Sequence, residues 1–476
     1  MSVPTGPKGA GEMAQGSDFL QLDASAVPRG ERTEWLTGAL RSAVASGVLP
    51  LGTRLPPTRV LAADLGVARG TVVEAYQRLT EEGLLTAARG AGTAVAARPL
   101  DAPAARSTGT WEPTVYAPET VDLASGIPDL AAFPRAAWLR AEREVLSTAT
   151  ARSLGYAPPQ GTLELRTELS AWLARSRGVR AAPGQIVVTA GVTGALSILS
   201  QVLRARGLDT MAREDPGADG NRMILGHWLR STVPVPVDGD GIDTDALAAT
   251  DARAVLVTPA HQFPTGVVLS PLRRRALLAW ARERDGLVIE DDYDAEYRYD
   301  RSPVGALHGL DPNLVAHTSS LSKTLAPALR AGWLVPPPHL LEDVVEARWA
   351  ADLGSPSLPQ LALALLLRDG TIARHLRTMR ARHRARRDAA VAAVRAHLPG
   401  CTVLGVAAGL HLLVLLPGGV DDREAAARAE RAGVAVQPLS RHRAAPGPPG
   451  LVIAYAGHGP ARLREAVARL GAAVRL

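Results

Sequence analysis

Short apolar runs separated by helical stretches constrain the fold of this chain more than any other feature. "QIVVTAG" (Gln185–Gly191), "RAVLVTPA" (Arg253–Ala260) and "GLVIEDDY" (Gly286–Tyr293) are rich in β-branched residues and show no polar alternation at their centres. Strands of that kind are buried on both faces. Helix-patterned segments lie between them, which predicts an α/β domain built on a mostly parallel sheet from residue 121 onward. The last stretch, about 371–476, opens on an Arg-rich helix and closes on "GLHLLVLL" and "GLVIAYA". It reads as a smaller α+β lobe.

The length of 476 residues leaves room for about two to four domains. Residues 29–98 are compact and helix-patterned, and 99–120, rich in Pro, Ala, Ser and Thr, read as a linker. Residues 1–28 begin with "MSVPTGPKGAGEMAQGS", which has no apolar signal core and reads as a disordered tail. No apolar run approaches the roughly 18 residues of a membrane span, since "LALALLL" (Leu361–Leu367) is bounded by Arg368 and Asp369. The single cysteine, Cys401, excludes an internal disulfide framework and fits a cytoplasmic protein. A net charge of +6 permits a polyanionic partner without requiring one.

Within 29–98, "RLPPTRVLAADLGVARGTVVEAYQRLTEEGLL" predicts a short helix over Thr58–Leu65, a turn at Gly66 and a second helix over Arg69–Glu82. Val72, Ala75, Tyr76 and Leu79 recur at helical spacing and would face a core. Arg69 and Thr71 then project from the exposed start of the second helix, as a recognition helix presents side chains to the major groove. "LLTAARGAGTAV" reads as a hairpin with Gly90 and Gly92 at its tip and Arg89 beside it, a shape that can approach a DNA backbone. The competing reading is a helical hairpin that packs against another element, with its arginines merely solvated.

The large domain contains an anomaly. Of 53 Lys and Arg residues, the lysines are Lys8 and Lys323 alone. Arginine does not deprotonate in a protein, whereas a desolvated lysine can attack an aldehyde and form a Schiff base. By itself, chance retention on a solvated face is the simpler account of Lys323. Its neighbours point elsewhere: Ser320 and Ser322 precede it, and Arg330 follows in "SSLSKTLAPALRAGW". Hydroxyls and a guanidinium suit a phosphate monoester. Pyridoxal 5'-phosphate combines an aldehyde with such a phosphate and also needs a carboxylate at its ring nitrogen. "VIEDDYDAEY" supplies acids at the carboxyl end of an expected strand, where α/β sheets place ligands.

Two resemblances sharpen these readings. Trp35–Val95 resembles the GntR-type winged helix-turn-helix along its length. That likeness implies double-stranded DNA contacts from Arg59, Arg69, Thr71 and Gly90, with Arg54 on a phosphate. From Val121 to Leu476 the chain resembles the PLP-dependent transferase-like (fold-type I) class, through "LASGIPDLAAFPRAAWLR", "LGYAPPQGTLELR", "VVTAGVTGAL", "VTPAHQFPTGVVLS", "IEDDYDAEYRYD" and "SLSKTLAPALRAGWL". The whole chain is similar to the MocR/PdxR subfamily of GntR regulators. By position, the resemblance implies Lys323 as the Schiff-base lysine, Asp291 on the pyridine nitrogen and Tyr293 on the ring hydroxyl. It implies Ser320, Ser322, Arg330 and the backbone of Val192 and Thr193 on the phosphate. Tyr156 would reach the partner's phosphate across a homodimer interface.

Departures from the family pattern limit what is implied. Ala218 occupies the place of an aromatic that stacks on the ring, and Phe263 that of an asparagine, leaving His261 or Gln262 to supply the polar contact. Val452 stands where aminotransferases carry an arginine for the substrate carboxylate, with Arg441 and Arg443 as substitutes. The expectation is therefore a regulator that senses pyridoxal phosphate, with or without a small amine or amino-acid effector, and controls cofactor synthesis or the metabolism of an amine or amino acid. It has no catalytic residues of its own and no metal. Two alternatives stay open: a working aminotransferase with an accessory DNA-binding module, and a regulator whose large domain is a decayed scaffold.

Overall fold

The computed structural model describes residues 20, 22–88, 92–98, 116–124, 126–300 and 304–474. The chain forms two compact units, Met1–Thr114 and Val115–Leu476.

In the first unit, α1 (Arg32–Ala45), α2 (Thr58–Asp64) and α3 (Arg69–Glu81) precede an antiparallel pair, β1 (Leu85–Ala88) and β2 (Gly92–Val95). The helical periodicity of α3 buries Val72, Ala75, Tyr76 and Leu79 against Leu36 and Leu40 of α1 and Leu61 of α2. The Tyr76 hydroxyl donates to the Pro56 carbonyl at 2.9 Å, which fixes α3 against the turn before α2. Gly66 turns the chain between α2 and α3 at φ +62°, a conformation that glycine adopts without strain. The hairpin tip, with Arg89 and Gly90, lies outside the described residues.

The second unit runs β3 (Val121–Asp122), α4 (Arg135–Thr148), α5 (Leu163–Arg177), β4 (Val187–Thr189), α6 (Gly191–Ala205), β5 (Thr210–Asp215), α7 (Asp219–Trp228), β6 (Ser231–Asp238) and β7 (Gly241–Ile242). It continues through α8 (Thr244–Ala248), β8 (Ala254–Val257), α9 (Pro271–Glu283), β9 (Leu287–Asp291), β10 (Val315–Ser320), β11 (Gly332–Val335), α10 (Leu341–Asp352) and α11 (Ser357–Arg368). Eight strands form one sheet in the order β4-β11-β10-β9-β8-β5-β6-β7. The run β10-β9-β8-β5-β6 is parallel, while β11 is antiparallel to both β10 and β4. Both faces are covered, as the unalternating apolar runs require. Trp333 enters a core with Leu165 and Leu169 of α5, whereas its neighbour Leu334 joins Leu196 and Leu199 of α6. Val288 packs with Leu277 and Trp280 of α9, and Leu287 and Ile289 point the opposite way.

The C-terminal lobe contains α12 (Thr371–His397), β12 (Thr402–Leu404), β13 (His411–Leu415), α13 (Asp422–Arg431), β14 (Val434–Ala435), β15 (Gln437–Pro438), β16 (Gly450–Ala454) and α14 (Pro460–Val474). Its sheet is antiparallel in the order β12-β13-β16-β15. Val121 of β3 pairs in parallel with Val434 of β14, so the segment that opens this unit joins the lobe that closes it. A two-residue strand carries no periodicity by which the sequence could reveal that pairing.

Candidate functional site

In the first unit, Arg69 opens α3 and Arg59 lies in the first turn of α2; both are exposed. Thr71, the third residue of α3, is half-buried, and Arg54 is exposed beside Ala94 of β2 through a β-bridge. Other arginines of this unit are held by carboxylates: Arg41 forks onto Glu82 at 2.9 and 2.6 Å, and Arg78 meets Glu34 at 3.0 Å and Glu74 at 2.6 Å. Among the described residues, Arg54, Arg59 and Arg69 form no ion pair. Their guanidinium donors are therefore available to an external anion.

In the second unit the chemistry gathers at one edge of the large sheet. Ala190–Thr193 follow β4, Ala218–Asn221 follow β5, Thr258 follows β8, Asp291 ends β9 with Tyr293 just beyond it, and Ser320 ends β10 with Ser322 and Lys323 just beyond it. These five strands run in the same direction, so their carboxyl ends share an edge, where open α/β sheets bind ligands. A cavity of about 370 Å³ lies there, closed on the far side by Leu410, His411, Gln437, Val452 and Ala454 of the C-terminal lobe. Of the residues singled out from the sequence, Val192, Thr193, Asp291, Tyr293, Ser320, Ser322, Lys323 and Arg330 all line it.

Lys323 Nζ donates to the Gly126 carbonyl at 3.1 Å. Burial pulls its ammonium below the usual lysine range, against the opposing pull of Asp294 and Asp291. Val192 and Thr193 occupy the first turn of α6, whose free N–H groups favour an anion. Arg330 reaches the same turn and donates to the Ala190 carbonyl. Gly332 permits this approach: a Cβ there would lie 2.7 Å from the Gly191 Cα. Ser320 and Ser322 complete a cluster of hydroxyl and guanidinium donors suited to a phosphate.

Asp291 is buried, and Asn221 Nδ2 donates to its Oδ2 at 3.0 Å. Its Oδ1 has no hydrogen-bond partner among the described residues. Burial pushes this carboxyl up to about 7. An orphaned buried carboxylate oxygen calls for an external N–H donor, preferably a charged one. The cavity thus offers an amine, an anion cradle and an acceptor, and this set fits pyridoxal phosphate.

The other acids of "IEDDYD" face elsewhere. Glu290 accepts from the Leu307 and His308 N–H groups at 2.8 and 3.1 Å. Asp292 forms a buried pair with Arg177 at 2.5 Å. Asp294 holds His261 Nδ1 at 2.9 Å, and the Tyr293 hydroxyl approaches the same nitrogen at 3.1 Å.

His261 and Gln262 do not line the cavity, contrary to the polar contact expected of one of them. His261 is engaged by Asp294 and by the hydroxyl of Tyr293, which itself lines the cavity. Gln262 Nε2 donates to Glu214 and to the Pro216 carbonyl at 3.1 and 2.8 Å. Thr258 and Asn221 line the cavity instead: Thr258 falls inside the "VTPAHQFPTGVVLS" signature without a role of its own there, and no motif marked Asn221. Tyr156 is 92% exposed and does not line this chain's cavity. Arg441 and Arg443 do not line it either. Arg441 Nε binds Asp219 at 3.1 Å, and Arg443 donates to the Pro448 carbonyl at 2.7 Å.

Comparison with known proteins agrees with this division. Residues 33–95 match the family described as "Bacterial regulatory proteins, gntR family", and residues 118–470 match "Aminotransferase class I and II". An archaeal alanine:glyoxylate aminotransferase of known structure superposes with a TM-score of 0.69 at 28% identity, covering 75% of this chain and 91% of that one. Fold and site together define a GntR-type DNA-binding module joined to a fold-type I aminotransferase-like domain.

Two curated relatives share the whole arrangement. The probable rhizopine catabolism regulatory protein MocR of Rhizobium meliloti is 34% identical over 91% of this chain and 92% of its own length. The pyridoxine biosynthesis transcriptional regulator PdxR of Corynebacterium glutamicum is 35% identical over 93% and 95%. This chain belongs to the MocR/PdxR family of helix-turn-helix transcriptional regulators.

Proposed function

We propose that this regulator binds pyridoxal phosphate in the cavity at the sheet edge and reads an amine ligand there, as a homodimer that binds operator DNA. The observation that carries the reading is the convergence of Lys323 Nζ, the unpartnered Asp291 Oδ1 and the Ser320–Ser322–Arg330 cluster in one cavity. When bound, the cofactor supplies an aldehyde for an amine nitrogen and a ring that withdraws electrons.

The chain's own residues then have defined tasks. Lys323 holds the aldehyde carbon. Asp291 accepts from the protonated ring nitrogen, Tyr293 hydrogen-bonds the ring hydroxyl, and His261 with Asp294 orients Tyr293. The first turn of α6, Ser320, Ser322 and Arg330 would hold the phosphate. Tyr156, exposed on its own subunit, serves the partner's phosphate. Arg54, Arg59, Arg69, Thr71, Arg89 and Gly90 contact DNA.

We infer a layout with the DNA-binding module at 29–98, a linker at 99–120 and the effector domain at 121–476. Ligand binding acts by favouring one arrangement of the effector domains, which requires different affinities for the two arrangements. The names of MocR and PdxR, for rhizopine catabolism and pyridoxine biosynthesis, support control of a catabolic route or of cofactor synthesis, with sensing rather than turnover as the task of the large domain.

The test uses the full chain and a duplex that it selects from a random DNA library. Pyridoxal phosphate should give a visible absorption band that Lys323→Ala abolishes, and should shift operator affinity in the wild type alone. A wild type without the band would instead favour a scaffold role for the domain.

A further inference from the structure

The wall of the cavity opposite the phosphate cradle is neutral and largely apolar. Val452, on β16, stands in register with Leu413 of β13 and Gln437 of β15. Val452, Leu413 and Leu439 form one buried apolar cluster, against which Phe263 packs. Among the described residues lining the cavity, Lys323 and Arg330 are the only cationic side chains. On the reading above, both are committed to the cofactor.

The arginines that could substitute, Arg441 and Arg443, do not line the cavity and are held by other partners. Asp219 engages Arg441 through one oxygen and Arg222 through the other, and Arg443 is turned onto the Pro448 carbonyl. Nor do the imidazoles supply a charge. Burial holds His411 well below the ordinary histidine range and brings His442 down to about 4, so both are neutral at pH 7. His442 Nε2 lies 2.8 Å from Gln437 Oε1, which leaves a neutral amide on this wall. A carboxylate brought here would lose its water and meet no counter-charge.

We infer that the ligand read by this cavity is a primary amine that carries no carboxylate, with an apolar or neutral body against Val452, Phe263 and Gln437. The inference rests on cofactor binding at Lys323. Lys323 Nζ gives up its bond to the aldehyde carbon and takes the two protons that the amine loses as its nitrogen bonds the same carbon. Amine and lysine thus exchange places, and no oxidant or reductant is needed.

The test titrates the full chain, loaded with pyridoxal phosphate, with pairs that differ by a carboxylate: ethylamine and alanine, isopentylamine and leucine, 2-phenylethylamine and phenylalanine. The absorption band should respond to the amine at a concentration at least about tenfold lower than to its amino acid. Equal or tighter response to the amino acids overturns the inference. So does a cofactor band that responds to neither member of any pair. Absence of the band before titration sinks the cofactor reading itself, a separate result. Val452→Arg should move the preference toward the amino acid by about tenfold or more. Gln437→Arg, at a half-buried position, makes the same test where Val452→Arg disturbs folding, and an unchanged preference in a cofactor-loaded variant counts against the inference.

Discussion

At the scale of single residues, "IEDDYD" distributes its acids by strand geometry. Successive side chains on β9 point to opposite faces, so Glu290 and Asp291 have different surroundings despite being adjacent. Asp291 alone of these carboxylates lines the cavity. Burial moves its carboxyl from an ordinary 3.8 to about 7. The folded, cofactor-free protein therefore holds a proton that the unfolded chain releases from about pH 4 upward. The sign follows: the Asp291 contribution stabilises the fold below pH 4, declines as pH rises and is lost above about 7. Three units correspond to at most about 4 kcal/mol. In urea unfolding of the cofactor-free protein at pH 5 and pH 7.5, the wild type should lose more stability on alkalinisation than Asp291→Asn. Equal losses would mean that Asp291 titrates normally. Bound cofactor should reduce the difference, because a protonated ring nitrogen gives the carboxylate its missing partner.

At the scale of elements, α3 shows how local pattern and function coincide. The face bearing Val72, Ala75, Tyr76 and Leu79 is buried, which leaves Arg69 exposed at the helix start. Arg69→Ala should weaken operator binding by about 1–3 kcal/mol if it reads a base, or lower the salt dependence by about one phosphate contact if it does not. Measuring affinity across a salt series separates these, and an unchanged affinity and slope would remove Arg69 from the interface. The cofactor spectrum should be unaffected, because Arg69 belongs to the other unit. In the large domain, the strand-following segments were legible as motifs because Ser320, Ser322, Lys323 and Arg330 are clustered along the chain, and Asp291 sits in its own acidic run after an apolar strand. Asn221 and Gln437 were not, and Thr258 and His411 lay in strand runs that gave them no role of their own. Each comes from a separate element, and each meets the site only because the sheet edge and the C-terminal lobe converge.

At the scale of the whole molecule, the proposed dimer gives Tyr156 a role that its own subunit does not. An exposed tyrosine beside a glycine- and proline-rich turn has little to gain from solvent, and a partner's phosphate would account for its position. Tyr156→Ala should hold the cofactor more weakly. Co-expression of differently tagged Tyr156→Ala and Lys323→Ala chains should yield mixed dimers with one complete site, measured by the absorption band of the doubly purified species. Failure of the mixed dimers to regain tight binding would confine Tyr156 to its own chain or to no site at all.

The sequence by itself determined the two-part architecture, the helix-turn-helix and the anomalous lysine with its hydroxyl and guanidinium neighbours. Those are local properties, written in periodicity and in residues close together along the chain. Tertiary structure decided which of several nearby acids meets the cavity, that His261 is claimed by Asp294, and that Arg441 and Arg443 are spent on other partners. It also decided that β3 completes the C-terminal lobe. Burial and pairing depend on what distant segments bring to the same point, and a side chain's charge or hydrogen bond becomes available to a ligand only when none of them has taken it.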